Sequence, residues 1–331
     1  MMTSRIKKRL AAVAGLICMM AASASALAQA HPGGIHSAKG INPPSGKGKE
    51  QTLALTTPAQ AAKAGEGSVM FVGTATVLIR YAGFTILTDP NFLHKGDHVH
   101  LGYGLTSERL TNPAIDMDQL PPVDLVLLSH LHGDHFDQLV QQKLDRNVPI
   151  LTTPDGAREL EKMGFKATYP LGTWESLTVT RGKASVRITS MPGRHGPPVA
   201  AALLPEVMGS MLDFSPEGAG KPSYRMYISG DTLVYDDIEE IPRRFSDIDL
   251  ALLHLGGTRI LGVMKVTMDG KDGVRMMQII APQRAIPIHY NDYGVFKSPL
   301  ADFEKEVNAA GLQGKVTYLK HGESYAFRPA R

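Results

Sequence analysis

The sequence predicts an α/β fold, and three observations carry that expectation. Residues 123–128 are apolar at nearly every position, strand-type and helix-type segments alternate after them, and short strands broken by glycine turns come before.

The chain opens on a segment read apart from the fold. Residues 1–28 resemble a secretory signal: Arg5, Lys7, Lys8 and Arg9 precede an apolar run at 10–22, and Ala26-Leu27-Ala28 offers a small-residue exit. The run is shorter than the ~20 apolar residues of a membrane span. A periplasmic or secreted mature chain without a stable membrane span is therefore expected. All four leader charges are basic, so its removal lowers Lys plus Arg from 35 to 31 against 32 Asp plus Glu. That balance offers no support for nucleic acid or anionic membrane as a partner. Cys18, the single cysteine, leaves with the leader, and the mature chain has no disulfide. Residues 29–67, rich in Gly, Pro, Lys and Ala, read as a flexible lead-in in which His31 and His36 are solvated.

The folded domain is expected over 68–331. Val69-Met70-Phe71-Val72, Thr76-Val77-Leu78-Ile79 and Phe84-Thr85-Ile86-Leu87-Thr88 form a meander. A loop-like region at 89–122 leads to the strand at 123–128. Next come a helix at 136–144, a strand at 149–152, and a helix at 155–163 that Asp155 could cap and Gly164 stop. Strands follow at 176–180, 186–190, 224–229, 250–253 and 285–288, with helices at 271–280 and 299–310. Asp269 could cap the first of these helices, with Asp272 completing an imperfect capping box. Strands at 316–319 and 325–327 close the chain. No repeat or linker divides 67–331, which favours one domain.

Chemistry gathers at strand ends. The run Ser129-His130-Leu131-His132-Gly133-Asp134-His135 follows one predicted strand, and His195, Asp231 and His289 follow three others. Five imidazoles and two carboxylates suffice for two divalent ions and a shared water. Ions of that kind lower the pKa of water from 15.7 towards ~7 and polarise a carbonyl or phosphoryl oxygen, so a bridging hydroxide is the expected nucleophile. With no thiolate, Zn2+ is the default, and Mn2+ and Fe2+ stay open.

The H-x-H-x-D-H run, with the segments Gly193-Arg194-His195, Ser229-Gly230-Asp231-Thr232 and Pro287-Ile288-His289, resembles the metallo-β-lactamase superfamily. The resemblance covers roughly 69–327 and implies a four-layer αββα sandwich of two mixed β-sheets flanked by helices. It implies His130, His132 and His195 at one ion, Asp134, His135 and His289 at the other, and Asp231 bridging; Asp134 is either a proton relay as well as a ligand or a ligand only. The segments Phe71-Val72-Gly73-Thr74-Ala75-Thr76 and Leu87-Thr88-Asp89-Pro90 are similar to the branch with ascorbate-6-phosphate lactonase and N-acyl-phosphatidylethanolamine phospholipase D. Thr74 stands where many of that branch carry His, and His254 where Pro is common, which weakens transfer of a particular substrate.

Other residues allow two readings each. Asp89 is either a carboxylate behind a ligand histidine or a turn-forming Asp-Pro. His254 could approach the cleft or be a hydrogen-bonded core histidine. His94, Asp97, His98 and His100 suit a surface loop better than a third metal site. His321 reads as structural. The apolar residues of 197–214, among them Leu203, Leu204, Val207, Met208, Met211 and Phe214, could form a lip favouring an acyl or lipid-like substrate, or belong to the core.

The expected function is a dinuclear metal-dependent hydrolase cleaving a small-molecule ester, lactone or phosphodiester. Thioesterase or β-lactamase activity on the same site, a non-catalytic metal-binding protein, and a diiron oxidoreductase, which would favour Glu where His132 stands, are the alternatives. Oligomeric state is left open.

Overall fold

A computed structural model describes residues 49–57, 65–101, 105–198, 204–219, 221–260 and 262–329. The expected signal segment and His31 and His36 lie outside these residues. The chain divides into two compact units. One, Met1–Lys47 with Gly102–Leu105, lies outside the described residues except for Leu105, and the other, Gly48–Leu101 with Thr106–Arg331, holds everything that follows.

In chain order the strands are β1 (Glu50–Ala54), β2 (Gly67–Gly73), β3 (Thr76–Tyr81), β4 (Phe84–Thr88), β5 (His98–His100), β6 (Thr106–Glu108), β7 (Leu125–Leu127), β8 (Ile150–Thr152) and β9 (Thr168–Pro170). They continue as β10 (Ser176–Arg181), β11 (Ala184–Met191), β12 (Gly209–Ser215), β13 (Tyr224–Ile228), β14 (Leu250–His254), β15 (Arg259–Ile260), β16 (Met264–Lys265), β17 (Arg284–Ile288) and β18 (Ser324–Phe327). The helices are α1 (Gln138–Lys143), α2 (Pro154–Lys162), α3 (Glu240–Arg244), α4 (Gly270–Ile280) and α5 (Leu300–Ala309).

Two seven-stranded sheets carry the fold, in the orders β18-β2-β3-β4-β7-β8-β9 and β1-β10-β11-β12-β13-β14-β17. Each is mixed: an antiparallel meander gives way to parallel pairs at β4–β7 and at β13–β14. The sheets face each other across the main core, where Val77, Ile79, Leu125 and Leu127 meet Leu177, Val186, Ile188 and Leu212. Val126, Leu128 and Ile150 point the other way, onto Val140 of α1 and Leu160 of α2. Both faces of β7 are thus covered, which is why its sequence shows no polar alternation. The αββα sandwich is the observed architecture.

Arg181 clamps the sheets at one edge. From the end of β10 its guanidinium reaches both oxygens of Asp124, which precedes β7, and the carbonyl of Gly83 in the β3–β4 turn.

Several expectations need correction. Glu50–Ala54, inside the expected lead-in, is a strand that runs parallel to β10, with Gln51 Nε2 donating to Pro170 O at 2.8 Å. Its five residues supply backbone pairing and little apolar signal. The helix expected from 155 is capped two residues earlier: Thr153 Oγ1 accepts from Gly156 N at 3.1 Å, and Pro154 occupies the first turn, where its missing N–H costs nothing. Helix α1 starts at Gln138 rather than 136 because Asp137 accepts from Val140 N at 2.8 Å. The strand expected at 316–319 is reduced to a single bridge between Val316 and Ala285.

Of the two readings left open for 197–214, a lip or part of the core, the second half is core. Gly209–Ser215 is β12, an inner strand with Leu212 registered between Ile188 and Met226, and Met211, Leu212 and Phe214 lie in the main core. Residues 199–203 of that stretch lie outside the described residues. The reciprocal capping box of Asp269 and Asp272 on α4 is present. No helix among the described residues is long and apolar enough to cross a membrane.

Candidate metal centre

The seven residues singled out in the sequence come together. The loops after β7, β11, β13 and β17 deliver them, so both sheets contribute, and rigid strand ends limit the entropy lost in assembling a polar cluster. Two glycines let the chain pass close by. A Cβ on Gly133, inside the histidine run, would meet the carbonyl of His100 at 2.3 Å, and one on Gly230, at φ +61°, would meet that of Met208 at 2.5 Å.

The ligand-type atoms fall into groups, within each of which they lie within 4.8 Å of one another. His130, His132 and His195 form one, and Asp134, His135, Asp231 and His289 a second. Asp89, His135 and His254 form a third, sharing His135 with the second.

Hydrogen bonds orient the rings. His195 Nδ1 is 2.8 Å from Val266 O and His289 Nδ1 is 3.0 Å from Leu255 O. A carbonyl only accepts, so each Nδ1 carries the proton and each Nε2 offers a lone pair. Thr267 Oγ1 donates to Asp231 Oδ2 at 3.0 Å and leaves Oδ1 clear. Val266 and Thr267, just after β16, are supporting residues that sequence reasoning missed; no polar pattern marks them.

Charge separates the two groups. Burial and the neighbouring histidines hold His130 well below the usual imidazole range, and burial with His195 brings His132 down to about 3. His195 is lowered chiefly by burial. This group is neutral, the state in which imidazole binds a metal. In the second group burial opposes charge on every member and is outweighed. Asp231 and Asp134 raise His135 and His289, while His135 and His289 bring Asp134 down to about 2 and Asp231 well below the carboxylate range.

Four buried atoms in the second group, Asp134 Oδ1, His135 Nε2, Asp231 Oδ1 and His289 Nε2, have no hydrogen-bond partner. Unsatisfied buried polar atoms are costly and rare, and four converging from two carboxylates and two imidazoles suit a hard or borderline cation. The donor chemistry of both groups fits divalent metal.

Of the residues left open, Asp89 is buried behind the cluster, its Oδ1 accepting from Ser129 N at 2.7 Å, so it does more than shape a turn. His254 is fully buried against it. His98 and His100 are exposed on β5, and His94 pairs with Asp116 at 2.7 Å; none joins a metal-type group among the described residues. His321 packs edge-on against Phe71 and lies 3.5 Å from Asp292, away from the cluster, consistent with a structural role.

Comparisons with known proteins show the family and the fold. A family model described as "Beta-lactamase superfamily domain" matches residues 85–290. A metal-dependent hydrolase of Archaeoglobus fulgidus is 30% identical over 207 residues, 62% of this chain and 82% of that protein. Among solved structures, an isothiocyanate hydrolase from Delia radicum gut bacteria superposes with a TM-score of 0.67 at 21% identity, over 79% of this chain and 99% of the other. A possible metal-dependent hydrolase from Veillonella parvula does so with a TM-score of 0.65 at 22% identity, over 78% and 98%. At these identities the structural likenesses show the fold.

Proposed function

The chain belongs to the β-lactamase superfamily as one of its metal-dependent hydrolases, and we propose that it is a secreted or periplasmic dinuclear enzyme cleaving an ester, lactone or phosphodiester. The observation that carries this reading is the pair of ligand groups, three imidazoles in one and two carboxylates with two imidazoles in the other. His130, His132 and His195 would hold one ion, and Asp134, His135, Asp231 and His289 the other, with Asp231 shared. The ions, Zn2+ by the balance of nitrogen and oxygen donors, would supply an acidified water and polarisation of the substrate oxygen.

The protein's own groups do the rest. Ring orientations fixed by Val266 O and Leu255 O keep ligand lone pairs aimed inward. Asp134 is 5% exposed and has two carboxylate oxygens, so with Oδ1 given to the ion the other can accept the proton of the attacking water and return it to the leaving oxygen. Asp134→Asn is accordingly expected to lower kcat by about 100-fold or more at full metal occupancy. Unchanged turnover in the metal-replete variant removes the relay and leaves Asp134 a ligand only.

The defining experiment joins metal analysis to a substrate panel. The purified chain should carry two divalent ions, lose hydrolysis on chelation and regain it on adding metal. A lactone, an aryl phosphodiester, a thioester, short- and long-chain esters and a cephalosporin separate the substrate classes. The long-chain ester tests for an acyl or lipid-like part. A chain that takes up no ion, or metal-loaded protein inert on every member, overturns the proposal; preference for the cephalosporin or thioester moves it to those alternatives.

A further inference from the structure

His254 is the one buried histidine among the described residues that this mechanism leaves unused. We propose that it is a positioning residue that, through Asp89, fixes the ring of His135 and thereby sets the affinity of the second ion site. The inference rests on the metal-dependent reading above.

Proton bookkeeping carries it. Asp89 is 1% exposed, and its carboxylate can only accept. Oδ1 is occupied by Ser129 N–H, while Oδ2 faces His135 Nδ1 at 3.5 Å and His254 Nε2 at 3.4 Å. Each ring therefore turns an N–H towards Oδ2. For His135 this places the proton on Nδ1 and frees Nε2, which lies 3.5 Å from Asp231 Oδ1 in the ion site. For His254 it places the proton on Nε2 and makes Nδ1 an acceptor. Ser229 Oγ, 3.2 Å away, shares its single proton between that nitrogen and the Gly230 carbonyl at 3.0 Å, and it accepts His254 N–H at 2.9 Å.

Packing completes the device. The His254 ring stacks on His135 with centroids 5.9 Å apart and planes 13° from parallel, and it lies 5.7 Å from the His289 ring. Ser229 is two residues from Asp231, so His254 ties together the strand ends that carry three residues of the second group. Without it, Oδ2 keeps one donor in a site with no exposed neighbour, and Asp89 loses the contact that holds it in line with His135.

The test titrates metal-free wild type, His254→Leu and His254→Gln with Co2+, followed by calorimetry and by visible absorption of the bound ion. Leucine should weaken the second ion about 10–100-fold while the first is unmoved, the scale on which partners behind a ligand act. Glutamine, which keeps an N–H for Asp89, should recover most of the loss, and recovery separates positioning from simple packing. Equal or tighter second-ion binding in the leucine variant, or no recovery by glutamine, overturns the inference alone. So does a third ion in wild type that the leucine variant lacks, because His254 would then be a ligand. Wild type that binds no Co2+ overturns the inference and the function together.

Discussion

Asp231→Asn is expected to strip the second ion from the protein and loosen the first. The fall in kcat/KM should exceed the ~10–100-fold that follows loss of a partner behind a ligand. The reason lies in what Asp231 faces. Its Oδ1 is 3.5 Å from His135 Nε2 and 3.6 Å from His289 Nδ1, and its charge, with that of Asp134, draws positive charge into a fully buried cluster. Asparagine keeps the shape and an oxygen but removes the charge that offsets desolvation of a divalent ion. Elemental analysis and steady-state kinetics on the same preparation decide the matter. Loss of one ion with the first held as tightly as before would make Asp231 a ligand of the second site only. Two tightly bound ions and wild-type turnover in the variant would remove it from the centre altogether.

How much of this was legible in the sequence follows from how each signal is encoded. Ligands leave a compact signature, since residue type and spacing along one loop, His130 to His135, already fix several donors, and His195, Asp231 and His289 each follow an apolar strand. The structure gathers all seven. Residues 123–128 announced a strand buried on both faces for the same reason: composition alone encodes it. Strand β12 was missed because Gly209–Ser215 mixes Ser210 and Asp213 among its apolar residues, and Asp213 is matched to Arg225 Nε at 2.6 Å, a partner the sequence does not display. Strand β1 was missed because it is an edge strand held by backbone pairing to β10. His254 was visible as a residue but not as a role, because Asp89, its partner, is 165 positions away.

Arg109→Met is expected to destabilise the fold by about 3–5 kcal/mol, the usual cost of removing one member of a buried ion pair. For a domain of this size that is on the order of 10 °C in Tm. The Arg109 and Asp292 side chains are both 0% exposed and lie 3.1 Å apart. Arg109 also donates to Thr74 Oγ1 at 2.7 Å and Thr111 O at 3.1 Å, and it reaches Asn91 Oδ1, while Asp292 Oδ2 accepts Thr74 N–H at 2.8 Å. Burial raises Asp292, but hydrogen bonds from His321 and Thr111 and the Arg109 charge bring it net below its usual value. Its contribution is therefore present at pH above about 4 and is lost as pH falls through the lowered value. The pair also reaches the metal centre. Thr74, at φ +51°, accepts His289 N–H at 2.7 Å, and His289 itself sits at φ +62°, a conformation that costs energy and must be held by its surroundings. Arg109→Met should thus lower Tm and also weaken second-ion binding in protein that is still folded. Arg109→Lys should not rescue it, because an ammonium lacks the fork that serves several acceptors at once. The double variant Arg109→Met/Asp292→Leu should recover part of the stability by removing the stranded carboxylate. A melting temperature within two degrees of wild type for Arg109→Met would show that the pair contributes nothing to the turn beneath His289.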